Sequence, residues 1–351
     1  MRYSEFLESR LPELKDIERF IHMDCIGKIE TILTVPLPNI PKFKNMLVRE
    51  LPIHKITYGS TDPESPVLVL VGGVHGLERI GTQVVKALLF SFNELTKWDA
   101  QVRETLEKIK IVFIPLINPW GMALNSRANA NGVDLMRNAP IEAVGQTKLL
   151  LSGHRLGPKL PWFRGHSESP MELEAQTLIE EITKDISNSK AAITLDVHSG
   201  FGFRDQLWFP YAKTIEPFSH LANVMAIKET LDKTYPYHVY KVEPQAINYV
   251  THGDLWDHIY DEHCKKSQAT YIPLCLEMGS WTWVRKNPSQ VFLPGGIFDP
   301  ILPHRRHRAY RRHHLIFDLL LRLMSNLEKW STLDPQNKDR LEQKAMELWY
   351  K

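Results

Sequence analysis

The chain holds 351 residues, 43% of them hydrophobic and 24% charged, with a formal net charge of +2. That length can bury a full central sheet, and the near-balanced charge gives no reason to expect nucleic acid or an anionic membrane as a partner. No window approaches the roughly 18 apolar residues of a membrane span. The N-terminus also lacks the basic and apolar regions of a secretory leader, so a cytoplasmic protein is expected.

Residues 1–48 read as a helical and loop extension, followed by a catalytic domain over 49–330 and a polar helical tail over 331–351. From Leu51 strands and helices alternate. The stretch IHKITYG alternates well enough for a strand, and SPVLVLVGG is a continuous apolar run, the mark of a strand buried on both faces. After Glu78, the spacing of Ile80, Val84, Val85, Leu88 and Leu89 predicts a helix. KIKIVFIPLINP, KAAITLDVHSG and ATYIPLCLEMGSW read as three further buried strands, with a helix over SPMELEAQTLIEEITKDI. This alternation predicts an α/β fold with a mixed, mainly parallel twisted sheet between helical layers. In such sheets ligands bind beyond the carboxyl ends of the strands. Those ends carry His75 and Glu78, then Asn118, then Asp196 and His198, then Glu277.

His75 and Glu78, three apart at a strand-to-helix turn, can reach one ion, and His198 can close the set. Two His and one Glu form a catalytic zinc shell with a position left open. H-x-x-E alone is a weak signal, equally compatible with a hydrogen-bonded loop histidine and a glutamate favoured by the helix dipole. The segment NSRANANGVDLMRNAP adds Arg127 and Arg137, with Asn129, Asn131, Asp134 and Asn138 around them, donors suited to an oxyanion or a carboxylate.

H-x-x-E, then R-x-N-x-x-G-x-D-L-x-R-N, then D-x-H-S-G, then the strand-end Glu of LEMG resemble the zinc metallocarboxypeptidase family over about residues 50 to 320. FRGHSESPMELEAQTL resembles its bacterial members. The resemblance implies one zinc per chain held by His75, Glu78 and His198, with Asp134 orienting the first histidine. It implies that Glu277 is the general base and that Arg127 holds the oxyanion. Arg137, with Asn138 beside it, would grip a substrate carboxylate, and Tyr249 would close over the substrate. One position departs: the family pattern has Asn before the second arginine, and this chain has Met136. A thioether donates no hydrogen bond, which puts simple C-terminal amino-acid release in doubt and suggests a modified, bulkier or more apolar end group.

The implied activity is hydrolysis of an amide bond next to a carboxylate, on small peptides or cell-wall peptide fragments. An alternative is a deacylase of N-acylated amino acids; the long separation of Glu78 and His198 favours the peptidase. A silent binding protein on the same fold is opposed by the intact Glu277, Arg127 and metal set. Leu255 and Trp256 are candidates for the specificity pocket by their distance from Tyr249. Trp281 and Trp283 are candidates for an aromatic wall, and His252 and His258 for pocket-lining residues. The Arg/His-rich stretch 304–314 reads as a solvated helix face, with an anionic polymer as the other possibility. The cysteines Cys25, Cys264 and Cys275, odd in number and without metal spacing, read as structural.

Overall fold

The computed structural model describes residues 2–293 and 295–351. Among them, eight strands form one sheet in the order β1-β2-β4-β3-β5-β8-β6-β7. The strands are β1 Lys28–Pro36, β2 Glu50–Gly59, β3 Val67–Gly72, β4 Lys110–Ile114, β5 Ala191–Ser199, β6 Gln206–Phe209, β7 Lys241–Pro244 and β8 Thr270–Met278. The central strands β4, β3, β5 and β8 run parallel, whereas β1, β2 and β6 make antiparallel pairings. The apolar runs predicted from sequence are the central strands, and β3 is buried along its whole length. Helices Arg79–Trp98 and Pro303–Met324 pack on each other and on β3 and β5; helices Leu173–Ile186 and Leu255–Lys266 pack on each other and on β3 and β8. The result is a three-layer α/β/α sandwich.

Three strands were not anticipated. β1 lies within the supposed extension. Its residues are mostly half-exposed and its pairing with β2 shifts register between Thr31 and Leu33, as befits an edge strand. The four-residue strands β6 and β7 are too short for a period to emerge. Both termini join the core: Phe6, Leu7, Leu11, Leu14 and Ile17 belong to the same apolar cluster as Leu341, Ala345 and Trp349.

The register of β5 against β8 positions the site. Asp196 pairs with Cys275 and His198 with Glu277. Residues two apart on a strand share a face, so these four side chains project together. The turn after β3 delivers His75 and Glu78 to the same end. Gly81 allows the close fit, because a Cβ there would lie 2.2 Å from the Val197 carbonyl oxygen. Glycine thus lets the first turn of the helix lie flush on β5 beside His198.

Candidate metal centre

His75, Glu78 and His198 are buried, and one donor atom from each lies within 4.8 Å of the others. Glu78 is the hub. Its Oε2 accepts from the Ser199 backbone N–H at 2.9 Å and lies 3.1 Å from His198 Nδ1, and its Oε1 accepts from Arg127 Nη1 at 3.1 Å. Burial works against its charge, but His75, His198 and Arg127 hold it below the usual carboxylate range. His198 Nε2 faces Asp196 Oδ2 at 2.6 Å, and the Trp256 indole N–H donates to the same oxygen at 2.8 Å. Nδ1 of His198 is thereby turned toward Glu78. Burial alone would lower the His198 pKa, yet Asp196 and Glu78 carry it well above the ordinary value. His75 is pushed the other way, first by burial and then by the Arg127 charge. Its Nδ1 is buried with no hydrogen-bond partner. Two imidazoles and a carboxylate are the donor set of a catalytic zinc, with a position left open, so these residues fit that ion.

Asp134, expected to orient His75, lies 3.7 Å from its Nδ1, beyond hydrogen-bond range. Its carboxylate instead accepts from Arg127 Nε at 2.8 Å and from the Met136 backbone N–H at 3.1 Å. Asp134 thus bonds the arginine while facing the histidine at longer range. Arg127 also approaches His75 Nε2 at 2.7 Å through Nη2.

A cavity of about 410 Å³ opens over this cluster. Glu277 lies in its wall and accepts from the Phe201 backbone N–H at 3.0 Å. Burial, and then the negative charge of Glu78, push its carboxyl up to about 8, with His198 and Arg127 opposing. Arg137 also lines the cavity and is buried. Its Nη1 donates to the Met136 carbonyl at 3.3 Å, its Nε has no hydrogen-bond partner, and among the described residues it makes no contact ion pair, the buried Asp254 carboxyl feeling its charge from a distance. Met136, Tyr249 and Trp281 line the same space.

Asn138 does not reach the cavity. Its amide is spent on scaffolding, donating to the Arg164 carbonyl and accepting from Glu172 N–H. Leu255 and Trp256 begin a helix and turn into the core, Trp256 through its bond to Asp196. His252 is engaged with Glu142 and the Ala143 N–H; neither it nor His258 lines the cavity.

A family model described as zinc carboxypeptidase matches residues 47–282. The chain belongs to this family of zinc hydrolases. Metallocarboxypeptidase A of Trichophyton rubrum is 24% identical over 192 residues, 51% of this chain and 44% of that protein. The chain spans less than half the length of the curated relatives it matches. Carboxypeptidase A of Helicoverpa armigera superposes with a TM-score of 0.58 at 16% identity, covering 94% of this chain and 74% of that one. Thrombin-activatable fibrinolysis inhibitor superposes at 0.59 and 16% identity, covering 90% and 72%. These superpositions establish the carboxypeptidase fold. Zinc is the family's metal, and no helix among the described residues is long and apolar enough to cross a membrane.

Three contributors were missed from sequence. Asp196 was noted only as a strand-end residue, although its spacing of two from His198 was a usable signal. Cys275, read as structural, lines the cavity, as its position two before Glu277 implies. Phe201 offers its backbone N–H, which no side-chain pattern announces.

Proposed function

We propose that the chain is a zinc-dependent hydrolase that cleaves an amide bond adjacent to a free carboxylate. The observation that carries this reading is Arg137: a buried cation with an orphaned Nε, lining the cavity that holds His75, Glu78 and His198. A buried guanidinium with an unbonded N–H is costly, and a substrate carboxylate is a group that satisfies it.

His75, Glu78 and His198 would hold the zinc, which when bound supplies Lewis acidity and activates a water near neutral pH. Glu277, buried beside the set, takes a proton from the attacking water and returns it to the leaving amine. Arg127 already faces Glu78 and His75 with two guanidinium nitrogens and is the cation available to negative charge developing on the carbonyl oxygen. Asp134 keeps that guanidinium oriented. Arg137 fixes the carboxylate end, and the aromatic ring of Tyr249, held near Phe201 and Trp208, shields the substrate from water. Met136 and Trp281 make the surroundings of Arg137 apolar, which favours a bulky or apolar terminal group. An N-acyl amino acid presents the same amide and carboxylate and is the second substrate class. Three unpaired cysteines suit a reducing cytoplasm.

The test is a panel of peptides with free and amidated C-termini, and N-acyl amino acids, assayed with zinc-loaded protein. Cleavage should require the free carboxylate and zinc, and Arg137→Ala should lose that discrimination through KM. Equal cleavage of amidated peptides by the unsubstituted chain overturns the reading. Unchanged zinc content in both His75→Ala and His198→Ala overturns the metal assignment.

A further inference from the structure

A second cavity, of about 520 Å³, lies on the other side of the loop that follows β5. Its walls come from four segments, one of which adds only His238 and Val239. Arg204 stands on the loop after β5, Lys286 ends the helix Trp281–Lys286, and His304, Arg305, Arg308 and Arg312 come from the helix Pro303–Met324. Five fixed cations therefore meet around one open cleft, Arg204, Lys286 and Arg308 exposed and Arg305 and Arg312 half-buried. The single carboxylate among them is Asp205, already bonded to Arg312 at 2.7 Å and to the Gly279 backbone N–H at 2.9 Å. Arg305 donates to the Trp283 carbonyl at 3.2 Å. The side chains of Arg204, Lys286 and Arg308 make no hydrogen bond or ion pair with any described residue.

This arrangement concentrates positive potential in one cleft, which an anion would offset. Like charges gathered in one cleft repel, the more so for the half-buried Arg305 and Arg312. The helix itself makes matters worse, because its N-terminal end carries partial positive charge. Its first turn contains no acidic residue, and no side chain caps it. A chain selected for stability alone would put aspartate or glutamate there. The Arg/His-rich stretch is a mostly solvated face whose edge, Ala309 and His313, packs into the protein, and Arg305, Arg308 and Arg312 border the cleft.

We infer that this cavity is a binding site for a small molecule bearing two or more phosphate groups. Guanidinium forks match phosphate oxygens bidentately. The cations stand on three separate segments, so a ligand neutralising them must present negative charge in more than one direction, as a diphosphate does and a single carboxylate does not. The volume falls within the range of small-ligand sites. The floor is also the back of the catalytic wall: Asp205 holds Gly279, two residues beyond Glu277, and a Cβ on Gly279 would lie 2.6 Å from the Arg204 backbone nitrogen. An occupant would bear on the segment that carries Phe201 and Glu277.

Equilibrium dialysis of the zinc-loaded full chain against labelled ADP tests the inference. One saturable site is expected, displaced by inorganic phosphate and not by adenosine. Arg204→Ala with Arg308→Ala should weaken it about 10- to 100-fold, the value of lost charge-assisted bonds. Lys286→Glu gives an independent arm should the double variant fold poorly. Arg137→Ala, in the hydrolytic cavity, and Arg311→Ala, on the same helix outside the cleft, should leave it unchanged. Absence of ADP binding overturns the inference, as does a loss caused by Arg137→Ala or an equal loss caused by Arg311→Ala. Displacement by tricarballylate as readily as by phosphate assigns the site to carboxylates and overturns the phosphate assignment.

Discussion

Asp299 accepts the Ile80 backbone N–H at 2.7 Å, capping a helix from 219 residues further along the chain. The helix's own N-cap residue is Glu78, which makes no side-chain cap bond because its carboxylate is turned toward Arg127, His198 and Ser199. The cap is supplied from elsewhere and Glu78 is left for the metal. Asp299→Ala should cost about 1 kcal/mol of stability, the usual value of a lost cap. It should also loosen zinc, whereas Asp299→Asn should retain most of both. Denaturant unfolding and competition with a chelator measure the two effects. Wild-type zinc retention in the Ala variant would mean that Glu78 needs no help from Asp299.

Glu277→Gln should keep the zinc while turnover falls about 10²- to 10⁴-fold, the contribution of general acid–base catalysis. The substitution is nearly isosteric, and an amide oxygen can still accept from Phe201 N–H. Elemental analysis and steady-state kinetics separate the two properties. A near-normal rate would send the proton to another group.

Asp196→Asn weakens the acceptor that fixes His198. Partners of this kind are worth about 10- to 100-fold in metal affinity, so zinc dissociation should rise by that factor with the fold intact. Trp256→Phe removes only the indole bond to Asp196 and should have a smaller effect in the same direction. Chelator-competition titration of both variants gives the order.

Met136→Asn should add a hydrogen-bond donor beside Arg137. A hydrogen bond to a charged group is worth roughly 1.5–3 kcal/mol, or about 10- to 100-fold, and it should enter through KM because the carboxylate is held in both ground and transition states. Peptides with simple free C-termini should therefore be cleaved at lower concentrations. No gain on any of them would mean that another residue already completes the carboxylate site.

Acid should loosen the C-terminal helix Pro335–Trp349. Glu229 bonds Arg340 at 3.1 Å and Lys344 at 2.6 Å, and the Arg340, Lys344 and Lys233 hydrogen bonds hold its pKa down at about 2 against an ordinary 4.5. A depressed carboxylate stabilises the fold fully above its unfolded pKa and loses that contribution as pH falls toward its folded one. The stability advantage of the native chain over Glu229→Gln should be constant near pH 6 and shrink below about 4.5 toward 2. Thermal unfolding of the two proteins across that window tests the slope; an advantage that grows on acidification would reverse the sign and refute it.

The central strands, the helix after Glu78 and the metal set were legible because continuous apolar runs and a short motif carry them. Strand ends could be read as a rim because period-two alternation and parallel order together dictate where polar residues emerge. β1, β6 and β7 were not legible, since an edge strand half in water and two four-residue strands leave no hydrophobic pattern. The division of Asp134 between Arg127 and His75 was not legible, because two groups compete for one carboxylate and sequence spacing does not decide that competition. Leu255 and Trp256 were placed at the pocket by distance along the chain; the helix they start turns them inward. Asp299 left no trace, because a cap donated across 219 residues has no local signature.

His198 and Glu277 stand opposite each other on adjacent parallel strands. Their separation is therefore set by the interstrand spacing of the sheet, about 4.8 Å, and not by any loop. The hydrolytic apparatus inherits the stiffness of a sheet, while the surrounding loops are free to vary and retune which molecules enter. The same feature makes the proposed chemistry intolerant of length changes in two short places. One extra residue within β5 or β8 would turn His198 or Glu277 to the opposite face, erasing the chemistry in a protein that still pairs its strands. Insertions in loops that carry none of the site residues would leave this seam untouched, so lineages of this fold can diversify at the rim while the seam between these two strands stays fixed in length.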